Sequence, residues 1–113
     1  MEARVTATRR QAARQCAAVL DEKFFKAFSE PARTAVFQQV VLLGNADIGA
    51  IAACLPQDRS VVSRHLQVLA DAGVLTAQKE GRRIVYTVNA AEIERRLVEM
   101  LELTRQLAAA CDE

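Results

Sequence analysis

Between positions 58 and 75 the chain runs DRSVVSRHLQVLADAGVL. Wound into a helix, Val62, Leu66 and Leu69 fall on one face, and Ser60, Arg64 and Gln67 fall on the opposite one. These outward groups could meet the edges of nucleic-acid bases. An arginine fork can donate twice to guanine, a glutamine amide can pair with adenine, and a short hydroxyl can approach a base or a phosphate. Ser63 stands beside them, and Arg59 lies in the first turn, where the helix N-terminus favours a phosphate. Lys79, Arg82 and Arg83 follow at a Glu-Gly turn, placed to track a phosphate backbone or a minor groove. Taken singly, the same residues describe a solvated helix face and a solvated turn. Their order along the chain favours the first reading.

Thiols form the second set of reactive groups. Cys16, Cys54 and Cys111 lie far apart in the sequence, and no CxxC or Cys/His cluster accompanies them. An odd count without a signal-peptide pattern argues against a disulfide framework, and the spacing argues against structural zinc. Two readings stay open. The thiols are small buried hydrophobes, or they form a thiol-only sensor for a soft species such as trivalent arsenic or antimony, or for an oxidant. His65 falls at the edge of the buried stripe, which suits packing or a phosphate contact better than metal binding. Cys54 and His65 sit on different expected helices, with no glycine-rich elbow between them. A Cys/His hydrolase is therefore not expected, and the chain is read as not an enzyme, with no required cofactor.

The elements that position these groups follow from periodicity. Residues 5–20 suit a helix with Val5, Ala12, Ala13, Cys16, Val19 and Leu20 on one face. A helix over about 21–29 carries Phe24, Phe25 and Phe28, and stops before Pro31. Pro31 then opens an apolar helix to about 43, closed by Gly44-Asn45. Asp47 is expected to cap a short helix ending at Pro56, and Asp58 to cap the helix of the opening stretch, which Gly73 closes. VLTAQKEGRRIVYTV is expected to form a β-hairpin. Over 90–111 a heptad seam runs through Ile93, Leu97, Met100, Thr104, Leu107 and Cys111, with Leu101 and Ala108 beside it. Such a helix requires a partner.

Composition agrees. With 113 residues, 51% of them hydrophobic and 26% charged, one globular domain that gains from pairing is expected. No uncharged apolar run is long enough for a membrane span. Arg4, Arg9, Arg10 and Arg14 interrupt the N-terminus, so a cytoplasmic location is expected. The net charge of +1 conceals an asymmetry. Between 59 and 83 five cations oppose only Asp71 and Glu80, while the segment from Ala90 onward is acidic. That pattern points to an anionic partner for the middle of the chain.

Two short helices followed by a basic hairpin make a winged helix-turn-helix. The fold expected is mainly α with a small β-hairpin, as a single domain over 1–113. It divides into an N-terminal dimerisation helix (1–20), a helix-turn-helix (47–72), a wing (74–88) and a C-terminal dimerisation helix (90–111). The segments KFFKAFSEPARTAVFQQV, SVVSRHLQVLADAGVL and EGRRIVYTV resemble the ArsR/SmtB family of bacterial repressors over nearly all of 23–110. The resemblance implies a homodimer, joined through its first and last helices, that represses its operon and leaves a double-stranded operator when an inducer binds. A twofold dimer implies an imperfect palindrome. The family's two metal sites are not matched. Asp47 in NADIGA stands where a thiol is expected, and Ala90, Glu92, Leu103 and Gln106 stand at the positions of a zinc site. The cysteines are then the remaining inducer site, for arsenic, antimony or another soft metal ion. The alternatives are a redox or reactive-sulfur sensor of the same fold, or a winged-helix protein-interaction module without an inducer.

Overall fold

The computed structural model describes residues 6–112. Val5, assigned above to the first helix, lies outside them, as do Glu2 and Arg4. Six helices and three short strands follow in the order α1 (Ala7–Leu20), α2 (Lys23–Lys26), α3 (Pro31–Leu43), β1 (Ala46–Asp47), α4 (Ile48–Ala52), α5 (Arg59–Asp71), β2 (Leu75–Glu80), β3 (Arg83–Val88) and α6 (Ala90–Cys111). Among the described residues no helix is long and apolar enough to cross a membrane.

The globular end of the molecule is built on α5. Its residues Val62, Leu66 and Leu69 are fully buried against Val36 and Val40 of α3 and Ile51 of α4. The helix stops in a hydrogen-bonded C-terminal motif. Val74 N–H donates to Leu69 O and Gly73 N–H to Ala70 O, with Gly73 at φ +82°. A side chain at Gly73 would be strained by that φ, and its Cβ would stand 3.2 Å from Glu92 Cγ of α6. β2 and β3 pair antiparallel, closing at Glu80 opposite Arg83 over the two residues Gly81-Arg82. Gly81, at φ +65°, takes the first turn position, as the twist of a tight hairpin demands.

Several expectations need correction. The helix expected over 21–29 is a single turn, Lys23–Lys26, followed by turns up to Pro31. The strand β1 was not foreseen. It lies on the open edge of β3, with Ala46 opposite Tyr86 and Asp47 opposite Val85. Asp47 does cap α4, its carboxylate accepting from Ala50 N–H at 2.9 Å. Asp58 occupies the cap position of α5 without a side-chain bond. Its backbone oxygen accepts from Val61 and Val62 instead.

α1 and α6 form an arm. Ala12, Cys16 and Val19 of α1 are buried, and the Cys16 thiol donates to Leu103 O at 3.8 Å. Arg9 clasps the far end, donating to Ala110 O at 3.1 Å and Cys111 O at 2.9 Å. The seam expected on α6 therefore divides. Leu103, Leu107 and Ala110 are turned inward, because the small side chains of α1 let the helices approach within one chain. Leu97, Val98 and Leu101 remain about half exposed, and with Val88 and Ile93 they line an open apolar groove. Thr104 and Cys111 are exposed as well. The arm stretches the molecule to 59 × 26 × 19 Å, with a radius of gyration of 18.2 Å. A compact chain of this length would have about 13 Å.

At the base of the arm, Glu92 accepts from Arg95 and Arg96, and Arg96 reaches across to Glu22 just before α2. The two guanidiniums hold the Glu92 carboxyl down at about 2. Its folded-state pKa is thus depressed, so its contribution to stability is present above the ordinary carboxylate range. That contribution is lost as pH falls toward 2.

Candidate nucleic-acid interface

Burial of one face of α5 leaves Ser60, Arg64 and Gln67 exposed together on the other. Gln67 is not free, since its Nε2 donates to Asp71 Oδ1 at 2.8 Å. Because Asp58 makes no side-chain cap, the first N–H groups of α5 are left without a carboxylate in front of them. Arg59 opens that turn, exposed, and Ser63 is half-buried one turn on.

Arg59 and Ser63 form one wall of a cleft whose other wall is the wing, with Arg82, Arg83 and Tyr86. Burial pushes the Tyr86 hydroxyl pKa up, which keeps it neutral. The basic residues of the wing are not equivalent. Arg83 lies 3.6 Å from Asp47 Oδ2 and 3.9 Å from Glu80 Oε1, so its charge is partly answered within the chain. Lys79 and Arg82 are exposed and form no salt bridge among the described residues. Sequence reasoning placed Asp47 as a cap and missed its second bond to the wing. That bond depends on β1 pairing with β3, which two residues of strand do not announce. The Gln67–Asp71 pair was also missed, although an amide four residues before a carboxylate on a helix is a recognisable signal.

His65 is turned away from this surface. It is buried, with Nε2 4.0 Å from Glu30 Oε1. The thiols are dispersed. Cys16 is buried in the α1–α6 seam, Cys54 is exposed beyond α4 with its Sγ donating to Ala50 O at 3.7 Å, and Cys111 is exposed at the end of α6. Cys54 was expected beside the buried face of its helix, but α4 ends at Ala52 and carries it outward. Cys16 faces Leu103, about 12 Å along the helix from Cys111. No group of three or more His, Cys, Asp or Glu side chains is gathered as a metal site among the described residues.

No family model matches the chain. It is similar to an ArsR-like transcriptional regulator from Rhodococcus sp. RHA1, at 26% identity and a TM-score of 0.68, over 84% of this chain and 92% of that one. A solved possible transcriptional regulator for arsenical resistance is 28% identical, with a TM-score of 0.54, over 80% of this chain and 81% of its own. Among curated proteins, an uncharacterized HTH-type transcriptional regulator of Methanocaldococcus jannaschii is 28% identical over 85 residues, 75% of this chain and 91% of the relative. The fold is also that of a homodimeric winged helix-turn-helix DNA-binding domain from Mycobacterium bovis, at 22% identity and a TM-score of 0.59, over 90% of each chain.

Proposed function

We propose that this chain, a winged helix-turn-helix protein of the ArsR type, is a homodimeric repressor that reads a palindromic operator and acts in the cytoplasm. The observation that carries the reading is the shared exposure of Ser60, Arg64 and Gln67 on α5, flanked by the cleft of Arg59, Arg82 and Arg83. In this reading α5 enters the major groove with Arg64 and Gln67 against base edges. Arg59, Ser63 and the α5 N-terminus hold one phosphate run, while Lys79, Arg82 and Arg83 follow the backbone beside it. A protein-interaction module has no use for Lys79 and Arg82, which form no salt bridge among the described residues, beside a polar helix face.

The test is the salt dependence of binding to duplex DNA. Each phosphate contact contributes a slope of about −0.9 in log affinity against log salt. Arg82→Ala is expected to flatten that slope by about one unit and to weaken specific and random duplexes alike. Arg83→Ala is expected to do less, since Asp47 and Glu80 already answer part of its charge. Arg64→Ala is expected to cost about 1–3 kcal/mol at the selected site and little on random sequence. An Arg64→Ala chain with an unchanged specific-to-random ratio would remove α5 from the role of reader.

The finer part of the proposal is the inducer, a thiol-reactive species: trivalent arsenic or antimony, or another soft metal ion. Exposure of Cys111 at the tip of the arm and the position of Cys16 in its seam support it. Their separation within one chain means that any joint site draws a thiol from the second copy. An oxidant or reactive sulfur species acting on exposed Cys54 or Cys111 is the alternative. Release of DNA by arsenite, cadmium or peroxide is expected to be lost in Cys16→Ser or Cys111→Ser, and after thiol alkylation. Undiminished release by all three single Cys→Ser variants would return the cysteines to a packing role.

A further inference from the structure

Asp71 is the last residue of α5, exposed one turn beyond Gln67. A carboxylate is unfavourable there on two counts. The C-terminal end of a helix carries the negative pole of the backbone dipole, which favours cations. A polyanion lying against Ser60, Arg64 and Gln67 would repel it as well. Lys23, Lys26 and Arg33 border the same shallow cleft as Asp71. Yet Lys26 is paired with Asp21 and Arg33 with Glu30, and no salt bridge to Asp71 forms among the described residues. What Asp71 does hold is the Gln67 amide, at 2.8 Å.

The result of that bond is orientation. A carboxylate only accepts, so the nitrogen of the Gln67 amide is the atom turned toward it. An amide nitrogen carries two hydrogens, and Asp71 takes one. With the hydrogen trans to Oε1 given to Asp71, the other hydrogen and Oε1 stand side by side as donor and acceptor. That is the pair that complements N7 and the N6 amino group of adenine in the major groove. An unanchored glutamine on an exposed helix face would turn either end outward and spread its preference over several bases. We propose that Asp71 is a positioning residue for base recognition, locking Gln67 in the orientation that reads adenine at the expense of general attraction to DNA. The inference rests on the DNA-reading function proposed above.

The experiment compares the unaltered chain with Gln67→Ala, Asp71→Ala and Asp71→Asn. The unaltered chain first selects duplexes from a randomised pool. Affinities are then measured for the selected duplex, for its single-base-pair variants and for random-sequence duplex. Asp71→Ala is expected to lose about tenfold of preference for adenine at one position in each half-site, the same position that Gln67→Ala loses. Binding to random duplex is expected to tighten at the same time. Asp71→Asn keeps an accepting oxygen without the charge, so it is expected to restore the preference while retaining the tighter random binding. A structural residue would weaken binding to the selected and the random duplex alike, and a merely repulsive charge would tighten binding to both with the adenine preference intact. Either result overturns the inference. An unaltered chain that selects no duplex would overturn the DNA-reading function itself, and this inference with it.

Discussion

The double variant Leu97→Glu/Leu101→Glu is expected to fold, to sediment as a monomer and to lose its operator. Leu97 is 54% and Leu101 48% exposed in the single chain, beside the half-exposed Val98. Each substitution therefore leaves the monomer core untouched. In a dimer joined through this face of α6 the same positions would be desolvated, and an unpaired carboxylate there would cost several kcal/mol. Loss of pairing turns one two-headed contact into two independent ones. Linked heads exceed single ones by about 10²–10⁴ in affinity, so operator binding should fall by about that factor, while the salt slope per head is retained. Sedimentation and binding titration on the same sample check both halves. A dimer that survives the double change would move the interface off this face of α6.

Leu66→Ala is expected to destabilise the protein by about 2–5 kcal/mol in chemical denaturation. Leu66 is fully buried, facing a core shared by α3, α4 and the wing. Its loss opens a cavity under α5 itself. Small proteins hold only about 5–15 kcal/mol in total, so the variant should be partly unfolded at temperatures the unaltered chain tolerates. Leu66→Met, which conserves volume, should cost below about 1.5 kcal/mol. If Leu66→Ala were neutral, α5 would not be seated on this core as described.

How far these features were legible depends on the range of the forces that make them. α3, α5 and α6 follow from local periodicity, and Pro31 and Gly73 mark their ends through backbone geometry alone. The wing follows from alternation around Gly81. β1 escaped because two residues become a strand only by pairing with Tyr86 and Val85, and nothing local demands it. The α6 seam was misdivided for a similar reason. Leu97, Met100 and Leu107 are chemically alike in sequence, and only the approach of α1 decides which of them turns inward. In the candidate interface, the exposed face of α5 was legible because its opposite face is so plainly apolar. The pairing of Arg83 with Asp47 was not, because it joins segments that meet only in the folded sheet. The thiols announced nothing more, because Cys16, Cys54 and Cys111 lie apart in the sequence and stay apart in the fold. Free thiols carry no geometry until something gathers them.

The arm also dictates an order of events during synthesis. Arg9 bonds to Ala110 and Cys111, and Cys16 to Leu103, so α1 is held by residues made much later than itself. The segment from α3 to β3 closes on itself through nearer contacts and can form while α6 is still inside the ribosome. Until then α1 waits with its apolar face unmet. α6 claims it on emerging, and in doing so would complete the surface proposed for a second copy. On the proposed function, the reading head would therefore be finished before it could be paired, and a nascent chain cut short before α6 would carry the head without the means to double it.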